Sequence, residues 1–223
     1  MSRFDTVEFA DNPDPRAPCV LVLDVSGSMD GARIRELNAG IQAFRDSIRA
    51  DSIASRRVEP AIVTFDDRAN LVCDFGTSES FAPPVLEAGG TTALASGLAL
   101  ALDQLQLRKQ TYKDNGIAYY RPWVFLITDG APTDPAEQIE SVRARLRREI
   151  ANKSVTFFAV GVEGADMAFL GSLDPSRAAV SLRGLEFREL FRWLSASMQR
   201  VSQSRAGDKV DLPAPTGWAQ IDV

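Results

Sequence analysis

Three short stretches of this 223-residue chain carry oxygen-bearing side chains in patterns that suit a cation. They are Asp24-Val-Ser26-Gly-Ser28, Gly89-Gly90-Thr91-Thr92 and Thr128-Asp129-Gly130. Alternate residues of an extended segment point the same way, so Asp24, Ser26 and Ser28 are expected to converge. The hydroxyl of Thr92 (or of its neighbour Thr91) and the carboxylate of Asp129 bring the set to five hard oxygens from three loops. Mg2+, which prefers octahedral oxygen coordination, fits best, with Mn2+ and Ca2+ as other candidates. Five donors around an octahedron leave one position for an outside ligand. Two carboxylates nearly neutralise a dication, which stays electrophilic and attracts an external Asp or Glu carboxylate. Hydroxyls where a hydrolase would set carboxylates favour holding a ligand over activating water.

Several chemistries are excluded. The chain has no histidine, so it has no Ser-His-Asp or Cys-His triad and no His-ligated zinc. Its two cysteines, Cys19 and Cys73, cannot complete a tetrahedral thiolate site and read as buried free thiols. The net charge of −5 argues against binding nucleic acid through phosphates. The first residues lack an apolar signal core, and no apolar run is long enough to span a membrane. The expected setting is a reducing cytoplasm. Gly-x-x-x-x-Gly-Lys-Ser/Thr is absent as well. A phosphohydrolase using Asp24 as nucleophile would need a second Asp where Ser26 stands, so no enzymatic activity is expected.

The loops need a frame that brings them together. Cys19–Leu23, Ala61–Phe65, Trp123–Ile127 and Val155–Val160 are short apolar runs of the kind buried on both faces of a parallel sheet. Between them lie amphipathic segments. Ile34, Leu37, Ile41, Phe44 and Ile48 share one helical face, as do Leu94, Leu98, Leu102 and Leu105, and again Phe187, Leu190, Phe191, Leu194, Met198 and Val201. Asp134 is expected to cap a helix beginning at Pro135. Alternating strands and helices predict an α/β, doubly wound, mostly parallel sheet with helices on both faces. Residues 70–73 supply one antiparallel edge strand, and 178–181 a further edge strand. Residues 1–16 form a lead-in with a short strand at Thr6–Phe9, 17–203 the domain, and 204–223 an extended tail pinned by Trp218. In such a sheet ligands bind beyond the carboxyl ends of the strands, where all three motifs fall.

The three motifs in this order resemble the von Willebrand factor A domain and its metal-ion-dependent adhesion site. The resemblance covers roughly residues 17–203. It implies Asp24, Ser26, Ser28, Thr92 and Asp129 as the metal site. Thr92 is preferred to Thr91 because Thr92-Ala-Leu-Ala-Ser-Gly-Leu98 has the family's spacing into the following helix. The segment from Phe187 to Ser204, with the Leu-Pro-containing tail and Gly217-Trp218, is similar to the bacterial tellurium-resistance (TerY-like) A-domain proteins. That narrower resemblance implies a monomeric cytoplasmic adaptor in a phosphorylation-linked stress response, with a protein kinase or a PP2C-type phosphatase as partner.

Other conspicuous residues have plainer readings. Asp30, Asp66, Asp67 and Asp134 lie near strand ends, within reach of the metal's outer shell, but are expected to be solvated. The cluster Arg143, Arg145, Arg147 and Arg148 reads as an ion-paired helix surface, and Thr111–Arg121 as a variable loop between helix and strand.

Overall fold

The structure, a computed structural model, describes residues 9, 12–205, 207–215 and 218–220. Its centre is β1 (Ala17–Asp24), whose eight residues are all buried. Parallel to β1 run β2 (Val58–Phe65) on one side and β4 (Trp123–Thr128) on the other. β5 (Thr156–Gly161) follows β4, and β6 (Val180–Leu182) follows β5, both parallel. β3 (Ala69–Cys73) turns back antiparallel on β2 at one edge. At the other edge β7 (Ala219–Gln220) pairs antiparallel with β6. Among the described residues the sheet has seven strands, in the order β3-β2-β1-β4-β5-β6-β7. The α/β architecture and the antiparallel β3 edge are as expected, and β7 adds a second antiparallel strand from within the tail. The expected strand at Thr6–Phe9 lies outside the described residues except for Phe9, which is buried.

Each central strand feeds two cores. Cys19, Leu21 and Leu23 face α1 (Ala32–Ala50) and α6 (Phe187–Gln203), whereas Val20 and Val22 face α3 (Leu94–Asp114) and α4 (Ala136–Ala151). Burial on both faces explains why β1 and β4 read as unbroken apolar runs. α1 buries the five residues expected from its spacing, and α6 its expected six. Gly40 lets these two helices close up, since a Cβ there would lie 2.4 Å from the Phe191 ring. The short helices α2 (Ala54–Arg57) and α5 (Met167–Leu173) complete the set. No helix among the described residues is long and apolar enough to cross a membrane.

Three boundaries and the burial of one cysteine depart from the sequence reading. β2 starts at Val58, three residues early, and takes in Glu59 and Pro60. Pro60 sits where β2 has a partner on one side only, because β3 begins to pair at Ile62. α3 continues to Asp114, so the first four residues of the expected loop at 111–121 are helix and Tyr112 is fully buried. Asp134 does not cap its own helix, whose N-cap position falls on Pro135. Cys19 is buried, and burial pushes its thiol pKa up to about 12, but Cys73 is only half-buried on the edge strand; both are free thiols.

The tail is held by its aromatic ring. Trp218 is buried with its ring 5.4 Å from that of Trp193, whose indole N–H donates to the Pro213 carbonyl at 2.7 Å.

Candidate metal centre

All three motifs reach the carboxyl-end edge of the sheet. Asp24 closes β1 and is fully buried. Its Oδ1 accepts the Ser26 backbone N–H at 2.9 Å, and its Oδ2 accepts the Thr128 hydroxyl from the end of β4. Burial raises the Asp24 pKa; the bonds from Ser26 and Thr128 oppose this rise, and the neighbouring Asp129 charge adds to it. A positive charge beside it would favour its charged form.

The chain leaves Asp24 extended only as far as Ser26. It then makes a 3-10 turn at Gly27–Met29, anchored by the buried Met29. The expected alternation of an extended loop is therefore replaced by this turn, yet the hydroxyls still meet. Ser26 Oγ and Ser28 Oγ are 3.0 Å apart, and Ser28 donates to Asp129 Oδ1 at 2.6 Å. Ser26 and Asp129 are buried, and Ser28 is exposed, so the group opens to solvent at Ser28.

The second loop is stitched to the first by backbone bonds. Gly27 N–H donates to the Gly90 carbonyl at 3.0 Å, and Gly89 N–H to the Val25 carbonyl at 2.8 Å. Gly90 has φ of 75°, and a Cβ there would sit 2.9 Å from the Asp67 carboxylate. Asp67 is thus a loop fastener. It accepts the Thr91 N–H at 2.8 Å, and hydrogen bonds from Thr91 lower its pKa. That engages the exposed Thr91 with Asp67. Thr92 is buried, and its Oγ1 lies 3.4 Å from where a Gly130 Cβ would stand, at the corner beside Asp129.

Two residues outside the expected ligand set, Asp134 and Arg33, shape this region. Asp134 caps α3: its carboxylate accepts the N–H groups of Ala95 at 2.9 Å and Ser96 at 3.1 Å, and the Ser96 hydroxyl at 3.0 Å. This clamps the third loop onto the helix that follows Thr92. Arg33, in the first turn of α1, places Nη1 2.6 Å from Asp129 Oδ2 and 3.0 Å from the Ser28 carbonyl. Its Nη2 donates to the Glu163 carbonyl at 3.1 Å. Nothing in the spacing around Arg33 distinguishes it from a surface arginine. Asp30 is exposed, and Asp66 accepts the Arg68 N–H within its own turn. The arginines of α4 are largely engaged: Arg143 with Glu140, Arg145 with Asp103, and Arg147 with the Ser172 carbonyl.

The profile of the von Willebrand factor type A domain matches residues 19–183. The chain belongs to that family. A relative from Synechocystis sp., named uncharacterized protein sll0103, is 30% identical over 128 residues, covering 54% of this chain and 27% of its own length. The A domain here therefore spans about a quarter of that relative. Among solved structures, proximal thread matrix protein 1 from the mussel byssus superposes with a TM-score of 0.59 at 18% identity, covering 82% of this chain and 46% of that one. The pilus adhesin SpaC from Lactobacillus rhamnosus GG, in its open conformation, gives 0.63 at 14% identity, covering 84% and 30%. At these identities the likeness is one of fold. A further structure of the mussel protein, at TM-score 0.51 and 16% identity over 84% of this chain and 48% of that one, is described as having a zinc-occupied MIDAS motif.

The donor set of this A domain fits a hard dication. Among the described residues no three of His, Cys, Asp and Glu cluster as a metal site. The group instead pairs two buried carboxylates with serine and threonine hydroxyls, and a guanidinium already stands against one of the carboxylates.

Proposed function

We propose that this A domain is a metal-dependent protein-binding module in which Mg2+ is held by Asp24, Ser26, Ser28, Thr92 and Asp129. The observation that carries the reading is the chain of contacts Ser26–Ser28–Asp129, which ties side chains from two separate strand ends into one group open to solvent at Ser28. When bound, the metal supplies a Lewis-acidic position for a partner's Asp or Glu carboxylate. The protein's own residues do the positioning. Ser28 donates its hydrogen bond to Asp129 and is within bonding distance of the Ser26 hydroxyl, which leaves an oxygen lone pair for a cation. Asp129 thereby orients a hydroxyl as well as contributing charge. Thr128 and the Ser26 N–H hold Asp24 by both oxygens, which suits a fixed counter-charge and not an attacking nucleophile. Binding of a partner without turnover is the activity this supports.

The likeness of the Phe187–Ser204 segment and the Trp218 tail to the tellurium-resistance A-domain group supports a narrower role. In it the protein is a cytoplasmic bacterial adaptor, monomeric on its own, in a phosphorylation-linked stress response, with a kinase or PP2C-type phosphatase presenting the acidic side chain. The test is binding of purified candidate partners to the immobilised chain in Mg2+ or in EDTA. Binding is expected to require Mg2+ and to disappear in Asp129→Ala; binding that survives both changes contradicts the reading.

A further inference from the structure

Two buried carboxylates converge at the carboxyl edge of the sheet, and among the described residues one cation faces them. That cation is Arg33, and its contacts are unusual for a side chain at the surface end of a helix. One nitrogen bonds both Asp129 Oδ2, at 2.6 Å, and the Ser28 carbonyl, while the other spans to the Glu163 carbonyl beyond β5. The Asp129 side chain is fully buried, and that of Arg33 is 28% exposed. The guanidinium thus reaches inward to the buried acid of the third loop from a first turn in which Ala32 and Arg35 are exposed and Ile34 is packed in the core.

We propose that Arg33 is a built-in competing cation: it neutralises Asp129 in the metal-free site, and metal loading has to displace or share that contact. The inference rests on the metal reading of the site and adds the regulation of its affinity. Its physical basis is electrostatic. A buried carboxylate left without a counter-charge is costly, so Arg33 stabilises the metal-free form. The same positive charge repels an incoming dication and occupies an oxygen with which that ion would interact. Removing it raises metal affinity and lowers the stability of the empty protein, and both effects follow from one contact. Arg35, two residues along the same helix, is exposed and has the same charge, so it controls for net charge alone.

The test is calorimetric titration of the full chain with MgCl2, and separately with MnCl2, for the unsubstituted protein, Arg33→Gln and Arg35→Gln. Arg33→Gln is expected to bind metal about fivefold more tightly, the size of a partly exposed ion pair. Its metal-free form is expected to melt lower and to gain more on metal addition than the unsubstituted protein does. Arg35→Gln should stay within about twofold of the unsubstituted protein. Unchanged or weaker metal binding in Arg33→Gln overturns the proposal, and so does an equal shift in Arg35→Gln. If the unsubstituted protein takes up neither metal, the site reading itself fails and takes this inference with it. Should Arg33→Gln not fold, the guanidinium 15N signals of Arg33 in the unsubstituted chain decide the matter. They are expected to move on saturation with Mg2+, and signals that stay fixed overturn the proposal.

Discussion

The two ends of the sheet each bury an ionic cluster, and the clusters differ in balance. Near the amino ends of β1 and β2, Glu59 lies between Arg16, 2.7 Å away, and Arg108, also 2.7 Å away, and accepts the Tyr112 hydroxyl as well. Burial works against the Arg108 charge, but Glu59 and Tyr112 outweigh it and keep the guanidinium charged. At the carboxyl edge the ratio is reversed, with Asp24 and Asp129 against one cation, Arg33, among the described residues. Glu59 is closed in by protein groups, whereas the carboxyl-edge cluster opens to water through Ser28. An acid ringed by cations serves the fold; a pair of acids short of positive charge, fringed by hydroxyls, is arranged to take a cation from outside. Both clusters contain buried charge, so burial alone does not distinguish structural from functional ionic groups.

The largest effect expected from this contrast is on stability. Glu59→Ala leaves two buried guanidiniums without their acid and should cost about 3–5 kcal/mol in urea unfolding. The folded fraction should bind Mg2+ as before; a loss of metal affinity would mean that the two clusters are coupled.

Metal should act only at the other end. Mg2+ at about one hundred times its dissociation constant should raise stability by about 2.7 kcal/mol, followed by thermal or chemical melts with and without EDTA. Asp129→Ala should abolish that gain, and Glu59→Ala should keep it.

Alkaline pH probes the closed cluster. Burial, and then the Glu59 charge, raise the Tyr112 pKa well above 10.0. Above pH 10 the unfolded chain releases this proton while the folded chain retains it, so stability is full below that pH and is lost as pH rises. The slope is about 1.4 kcal/mol per pH unit for the one group. Tyr112→Phe should flatten it, and an unchanged slope would place the alkaline loss elsewhere.

The smallest effect is the cap. Asp134→Ala should lower stability by about 1 kcal/mol, read by urea unfolding, because α3 loses the acceptor for its first N–H groups. An undiminished stability would show that the loop is held without it.

The readable parts of the sequence were those governed by one local rule. β1, β4 and β5 stand out because helices cover both faces of the sheet, and α1 and α6 because a single buried face repeats at helical spacing. Asp24, Ser26, Ser28 and Asp129 stand out because the ends of β1 and β4 deliver them, and Thr92 because of its spacing into α3. What escaped was set by partners distant in sequence. Glu59 falls before the apolar run Ala61–Phe65, and its place in β2 makes sense only with Arg16 and Arg108 beside it. Asp134 sits in an ideal place to cap its own helix, yet its carboxylate goes to α3. Tyr112 extends α3 into what looks like a polar loop because its hydroxyl has a buried acid to meet. Two residues of tail become a strand because β6 exposes an edge and Trp218 finds Trp193. Arg33 reads as any surface arginine until the third loop folds against it.

A high-resolution crystal structure of the chain grown in MgCl2 tests the central claim most directly. The account predicts a six-coordinate peak about 2.1 Å from the hydroxyl oxygens of Ser26 and Ser28, with Thr92, Asp24 and Asp129 reached directly or through water. A map at saturating Mg2+ in which these side chains bond only to one another, with no ion among them, would contradict it.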